Sequence, residues 1–113
     1  MFKRVPTADV AEAQTLLSDG ALLLDVRRDD EWRAGHAQDA IHIPLGQLQE
    51  RVSEVPTDRR IVAVCRSGSR SAQATRYLRQ LGHDAINLDG GMQAWQRAGA
   101  DVVDDDGGAG RVA

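Results

Sequence analysis

Apolar residues fall along this chain in two alternating patterns. Short runs dominated by apolar side chains, Ala21-Leu22-Leu23-Leu24, Ile41-His42-Ile43, Ile61-Val62-Ala63-Val64 and Ala85-Ile86-Asn87-Leu88, predict strands. The run ending at Val64 is continuous rather than alternating, as a parallel strand covered on both faces requires. A further short strand is predicted at Phe2–Val5. Between the runs the spacing becomes helical. Val10, Ala13 and Leu17 share a face, with Thr7 or Asp9 as N-cap and Gly20 as the stop. Leu45, Leu48, Val52 and Val55 recur at helical spacing until Pro56. Ala74, Tyr77, Leu78 and Leu81 form a stripe opposite Gln73, Arg76, Arg79 and Gln80, with Gly82 as the break. A last short helix is predicted from Met92 to Arg97, stopped by Gly99.

Strands alternating with helices in one short chain predict an α/β fold. The expected architecture is three-layered: an open parallel sheet of about five strands with helices on both faces. The 113 residues suffice for one domain, placed at residues 1–103. Residues 104–113 are rich in Asp and Gly and have little to bury, so a disordered tail is expected there.

Charge narrows the class of partner. Residues 101–113 hold four aspartates against one arginine and account for the whole net charge of −3, leaving a neutral body. A nucleic-acid-binding surface would need a basic stripe, which is missing from the sequence. No apolar stretch is long enough to span a membrane, and no apolar segment follows the basic residues Lys3 and Arg4, so a cytoplasmic protein is expected. The single cysteine allows no intramolecular disulfide.

In open α/β sheets, functional groups collect beyond the carboxyl ends of the strands. Three such ends carry unusual residues here: Asp25-Val26-Arg27, Cys65 with its loop, and Asp89-Gly90-Gly91. The loop is the strongest signal. Cys65 closes a buried strand, and a helix is predicted to begin near Ser69 or Arg70. Between them, Arg66, Ser67, Gly68 and Ser69 are small or polar enough to let backbone N–H groups turn inward. Those amides and the positive end of the helix make an anion cradle. A sulfur at its centre is favoured as thiolate, the nucleophilic form. A lone cysteine on a buried strand is more often an inert small hydrophobe; the junction of strand end, glycine-containing loop, arginine and helix start is what argues otherwise.

These residues resemble the rhodanese family of thiosulfate and persulfide sulfurtransferases. Leu24-Asp25-Val26-Arg27 with Glu31-Trp32 and Gly35-His36 resembles one conserved segment of that family, and Ala40-Ile41-His42-Ile43-Pro44-Leu45 a second. Cys65-Arg66-Ser67-Gly68-Ser69-Arg70-Ser71 resembles its active-site loop. Asn87-Leu88-Asp89-Gly90-Gly91-Met92 with Ala94-Trp95 resembles its closing segment. The likeness covers about residues 7–100. Asp39 stands where the family commonly has glycine, and an aspartate tolerates left-handed backbone angles better than most residues.

The resemblance implies that Cys65 is the catalytic nucleophile, taking sulfur from thiosulfate or a persulfide donor and passing it from a Cys65 persulfide to a thiol or cyanide. A sulfur-accepting protein is a further possible acceptor. Arg66, Ser67, Gly68, Ser69 and Arg70 would bind the anion; Asp25, Arg27 and Glu31 would support the loop. Neither metal nor organic cofactor is implied. His36 and His42 are read as structural, His83 as a solvated loop residue, and Trp32 and Trp95 as core aromatics. Two alternatives stand: a non-catalytic persulfide-carrier or partner-binding module, and a cysteine phosphatase or arsenate reductase. The latter is disfavoured by the six-residue span from Cys65 to Arg70, one residue shorter than the phosphatase loops, and by the lack of a second cysteine.

Overall fold

The computed structural model describes residues 4–113. Among them, five strands form one parallel sheet in the order β1-β5-β4-β2-β3: β1 (Thr7–Ala8), β2 (Leu22–Asp25), β3 (Ile41–His42), β4 (Ile61–Val64) and β5 (Ala85–Leu88). The helices are α1 (Val10–Ser18), α2 (Asp29–Ala34), α3 (Leu48–Arg51), α4 (Ser69–Gln80) and α5 (Gly91–Arg97). Of the strand expected at Phe2–Val5, Phe2 and Lys3 lie outside the described residues. The edge strand is instead Thr7–Ala8, pairing with Asn87 and Leu88 of β5. No helix among the described residues is long and apolar enough to cross a membrane.

The continuous apolar runs are explained by two cores, one on each face. Leu22, Leu24 and Val26 alternate to one side, with Ile61, Ala63 and Cys65, beneath Leu48 of α3 and Ala74 and Leu78 of α4. Leu23, Val62 and Val64 face the other, against Val10 and Ala13 of α1 and Met92 and Trp95 of α5. Every residue of β2 and β4 is buried, as expected of central parallel strands.

Of the two candidate caps for α1, Asp9 is the one used: its carboxylate accepts from the Glu12 N–H at 2.8 Å, and Glu12 accepts in return from the Asp9 N–H at 3.3 Å. The segment from Leu45 to Val55 is less regular than its spacing predicts. It consists of α3 between 3-10 turns at Leu45–Gln47 and Val52–Glu54. In α4 the stripe narrows: Ala74 and Leu78 are fully buried, whereas Leu81, past the helix end, is 51% exposed. His83 is half-buried rather than solvated, with Nδ1 3.3 Å from the Pro56 carbonyl. Asp39 lies in a turn closed by the Ala40 N–H donating to the Ala37 carbonyl. It does so without a left-handed angle, since no non-glycine residue described has positive φ.

The structure corrects the expectation for the tail. Val103 exchanges both backbone hydrogen bonds with His36, the Gly110 N–H donates to the Val102 carbonyl, and the Arg111 N–H to the Ala34 carbonyl. Val102 and Val112 pack on the α1/α5 core. Asp104 organises the turn, its Oδ1 accepting from the N–H groups of Asp106 and Gly108. Asp and Gly, which suggested disorder by composition, here supply turn chemistry. Residues 102–113 therefore form a strap folded back over the end of α2.

Candidate active site

The chain leaves β2 toward β3 on one side and leaves β4 toward β5 on the other, so the sheet changes winding direction between β2 and β4. Ligand sites in open α/β sheets form at such a point. Asp25 ends β2 there, opposite Val64 in register, and Cys65 follows directly. A separate cleft of about 490 Å³ includes Leu17, Arg59, Trp95 and Asp101 in its lining and none of the cysteine-loop residues.

Cys65 leaves the sheet into a loop that curls around its own sulfur. The Gly68 N–H donates to Cys65 Sγ at 3.0 Å, and the Ser71 hydroxyl lies 3.3 Å from it. Gly68 takes φ +119°, a left-handed conformation open to glycine, and caps the start of α4. Burial pushes the Cys65 thiol up. The Ser71 hydroxyl and the backbone N–H groups of Ser71, Gly68 and Ser67 outweigh that and bring it below its ordinary value. Cys65 is thus buried, yet its hydrogen-bond donors favour the thiolate more than an ordinary cysteine's surroundings do.

The closing segment fixes the loop from behind. The Met92 N–H donates to the Cys65 carbonyl at 2.7 Å and the Gln93 N–H to the Arg66 carbonyl at 3.1 Å. Gly91 permits this approach: a Cβ at its position would collide with the carbonyls of Cys65 and Arg66, and its φ of +58° is left-handed besides. Asn87 Nδ2 donates to the Gly68 carbonyl at 3.2 Å.

The two arginines of the loop differ in their partners. Arg70 makes a bidentate pair with Glu31, Nη1–Oε1 2.6 Å and Nη2–Oε2 2.9 Å. Those hydrogen bonds hold the Glu31 carboxyl down at about 2, against burial, which alone would raise it. Arg66 is exposed, and its Nε donates to the main-chain oxygen of Ala113 at 2.8 Å. Ser67 and Ser69 are exposed on the outer side of the loop.

The supporting residues act through α2. Asp25 and Arg27 are fully buried and paired, Nη2–Oδ2 2.8 Å. Arg27 continues to the Gly35 carbonyl at 2.7 Å and the Glu31 carbonyl at 3.4 Å. The strand end thereby anchors α2, and α2 presents Glu31 to Arg70. His42 Nε2 donates to the Arg27 carbonyl at 2.7 Å, while Trp32, half-buried, stacks on the His42 ring. Trp95 is buried, with its indole N–H on the Asp101 carbonyl.

Sequence reading alone assigned no role to Ser71 or Asn87. The signal for Ser71 was present: side chains on a helix lean toward its N-terminus, so a serine in the first turn of α4 reaches back over the loop. Helix α2 was also missed, because its one buried side chain is the carboxylate of Glu31.

A parallel α/β sheet with a cysteine cradled at its switch point places the chain in a class of α/β domains built around a cysteine loop. Within it, the chain belongs to the rhodanese-like domain family, whose model matches residues 9–98. It is 42% identical over 91 residues to a sulfurtransferase of Allochromatium vinosum, covering 80% of this chain and 85% of that protein. It is 33% identical to the thiosulfate sulfurtransferase GlpE of Pseudomonas syringae pv. syringae, covering 84% and 88% of the two chains. A rhodanese-related protein of Thermoplasma volcanium superposes with a TM-score of 0.82 at 31% identity, covering 87% of this chain and 97% of that one.

Proposed function

We propose that this protein is a thiosulfate sulfurtransferase working through a Cys65 persulfide. The observation that carries the reading is a sulfur held by the Gly68 N–H and the Ser71 hydroxyl, with its thiol brought below the ordinary value. The Cys65 thiolate attacks the outer sulfur of thiosulfate; the S–S bond breaks and sulfite leaves with the electron pair. The persulfide's terminal sulfur then lies among the loop amides, where negative charge is favoured. An acceptor thiolate attacks that sulfur, gaining it as a persulfide and returning Cys65 to thiolate; cyanide in its place gives thiocyanate. Every bond formed replaces one broken, so no metal, redox partner or organic cofactor is called for. Cys65 is the only cysteine among these 113 residues, so no second thiol among them can take the sulfur on.

Intact-protein mass spectrometry after thiosulfate treatment tests this. The protein should gain one sulfur, lose it to cyanide, and gain none as Cys65→Ser, whose hydroxyl is a far weaker nucleophile. Sulfur transfer persisting in that variant would refute the mechanism. Repeated turnover distinguishes the enzyme from a carrier, which would load and unload only once per encounter with a partner protein.

A further inference from the structure

We propose that Gln93 is a specificity-determining positioning residue: with the strap, it holds the Arg66 guanidinium at the rim of the cysteine loop for the oxyanion end of the donor. The inference rests on the sulfurtransferase reading above and extends it to a residue outside the loop.

The Arg66 side chain lies between two anchors. Its Nε donates to the main-chain oxygen of Ala113 at 2.8 Å. A guanidinium can only donate hydrogen bonds, so the Gln93 amide must turn its oxygen toward it. In that orientation the oxygen accepts from Nη1 at 3.0 Å and Nη2 at 3.1 Å. The same Gln93 donates its backbone N–H to the Arg66 carbonyl. One residue of α5 therefore grips Arg66 at both main chain and side chain. Among the described residues each terminal nitrogen keeps one N–H unused, on a side chain that is exposed.

Charge separates the two loop arginines further. Arg70 faces both oxygens of Glu31, which neutralise it locally. Arg66 leans on the neutral Gln93 amide and on the main-chain oxygen of Ala113, and among the described residues it is paired with no side-chain carboxylate. An arginine free in solvent must be immobilised as the anion binds, whereas one already fixed is not. Such preorganisation of a single long side chain is worth up to about tenfold in affinity.

The test uses the full chain and the two half-reactions. Gln93→Met keeps the bulk of the side chain and removes the acceptor. It should lower kcat/KM for thiosulfate by about three- to tenfold, the loss of one preorganised side chain. It should leave kcat/KM for an uncharged thiol acceptor and the pH dependence of Cys65 alkylation unchanged. Because Gln93 acts through Arg66, the double variant with Arg66→Met should be no worse than Arg66→Met alone. Unaltered thiosulfate kinetics in Gln93→Met would overturn the proposal. So would an equal fall in both half-reactions, or effects of the two substitutions that multiply. A wild-type protein that takes no sulfur from thiosulfate onto Cys65 would overturn the sulfurtransferase reading and this inference together. Normal loading of Cys65 with an indifferent Gln93→Met would remove this inference alone.

Discussion

A carboxylate on the inner side of a six-residue helix is costly to bury unless both of its oxygens are met. In Glu31 they are: Arg70 takes both, and the Arg28 N–H adds a bond to Oε1 at 3.0 Å. The resulting depression of its pKa fixes a sign. The folded protein favours the ionised form more than the unfolded chain does, so this stabilisation is full above the ordinary glutamate range and is lost as pH falls toward about 2. Unfolding midpoints measured between pH 6 and pH 2.5 should fall more steeply for the wild type than for Glu31→Gln. Parallel curves would mean that the pair contributes nothing to acid stability. The cysteine and its flanking arginines were legible from one junction of strand, glycine and helix. Glu31 was legible only through the resemblance, because hydrophobic periodicity cannot reveal a helix whose buried side chain is an anion.

Among the elements, α5 braces the cysteine loop without supplying a group to the sulfur. Its first N–H groups take the carbonyls of Cys65 and Arg66, leaving the amides of the loop free to face inward. That division depends on the backbone contact at Gly91. Gly91→Ala should destabilise the fold by about 2 kcal/mol from the left-handed φ alone. It should also slow Cys65 alkylation and sulfur loading by about a hundredfold, because the loop carbonyls must retreat and displace the reacting sulfur. Urea titration and alkylation rates measure the two effects separately. A stable variant with an unchanged alkylation rate would show that the contact does not position the cysteine. The strands and α4 were legible because their burial follows simple periods. The stretch from Leu45 to Val55 shows the same spacing but is divided between α3 and two 3-10 turns, a distinction of hydrogen-bond geometry that apolar spacing does not encode.

At the scale of the whole molecule, the strap joins parts that the sequence keeps far apart. It begins beyond α5, pairs Val103 with His36, passes Arg111 across Gly35, and ends with Ala113 on Arg66 of the cysteine loop. Gly35 carries this path: a Cβ there would collide with the Arg111 backbone, although its own extended φ would suit any residue. Composition concealed the strap, since Val103 and Val112 are its only large apolar residues beyond Val102 and the rest of its attachment is main chain to main chain. Deleting residues 104–113 removes the Gly110 and Arg111 hydrogen bonds, the packing of Val112 and one anchor of Arg66. Each backbone bond contributes about 0.5–1.5 kcal/mol net, and at roughly 4–8 °C per kcal/mol for a small domain the loss should lower Tm by several degrees. The same deletion should reduce kcat/KM for thiosulfate but spare an uncharged thiol acceptor, as Gln93→Met should, because both free the same guanidinium. Calorimetry and half-reaction kinetics on the shortened chain provide the check. A lowered Tm with intact thiosulfate kinetics would make the strap a structural tie only; unchanged values of both would show that its contacts contribute neither stability nor donor preference.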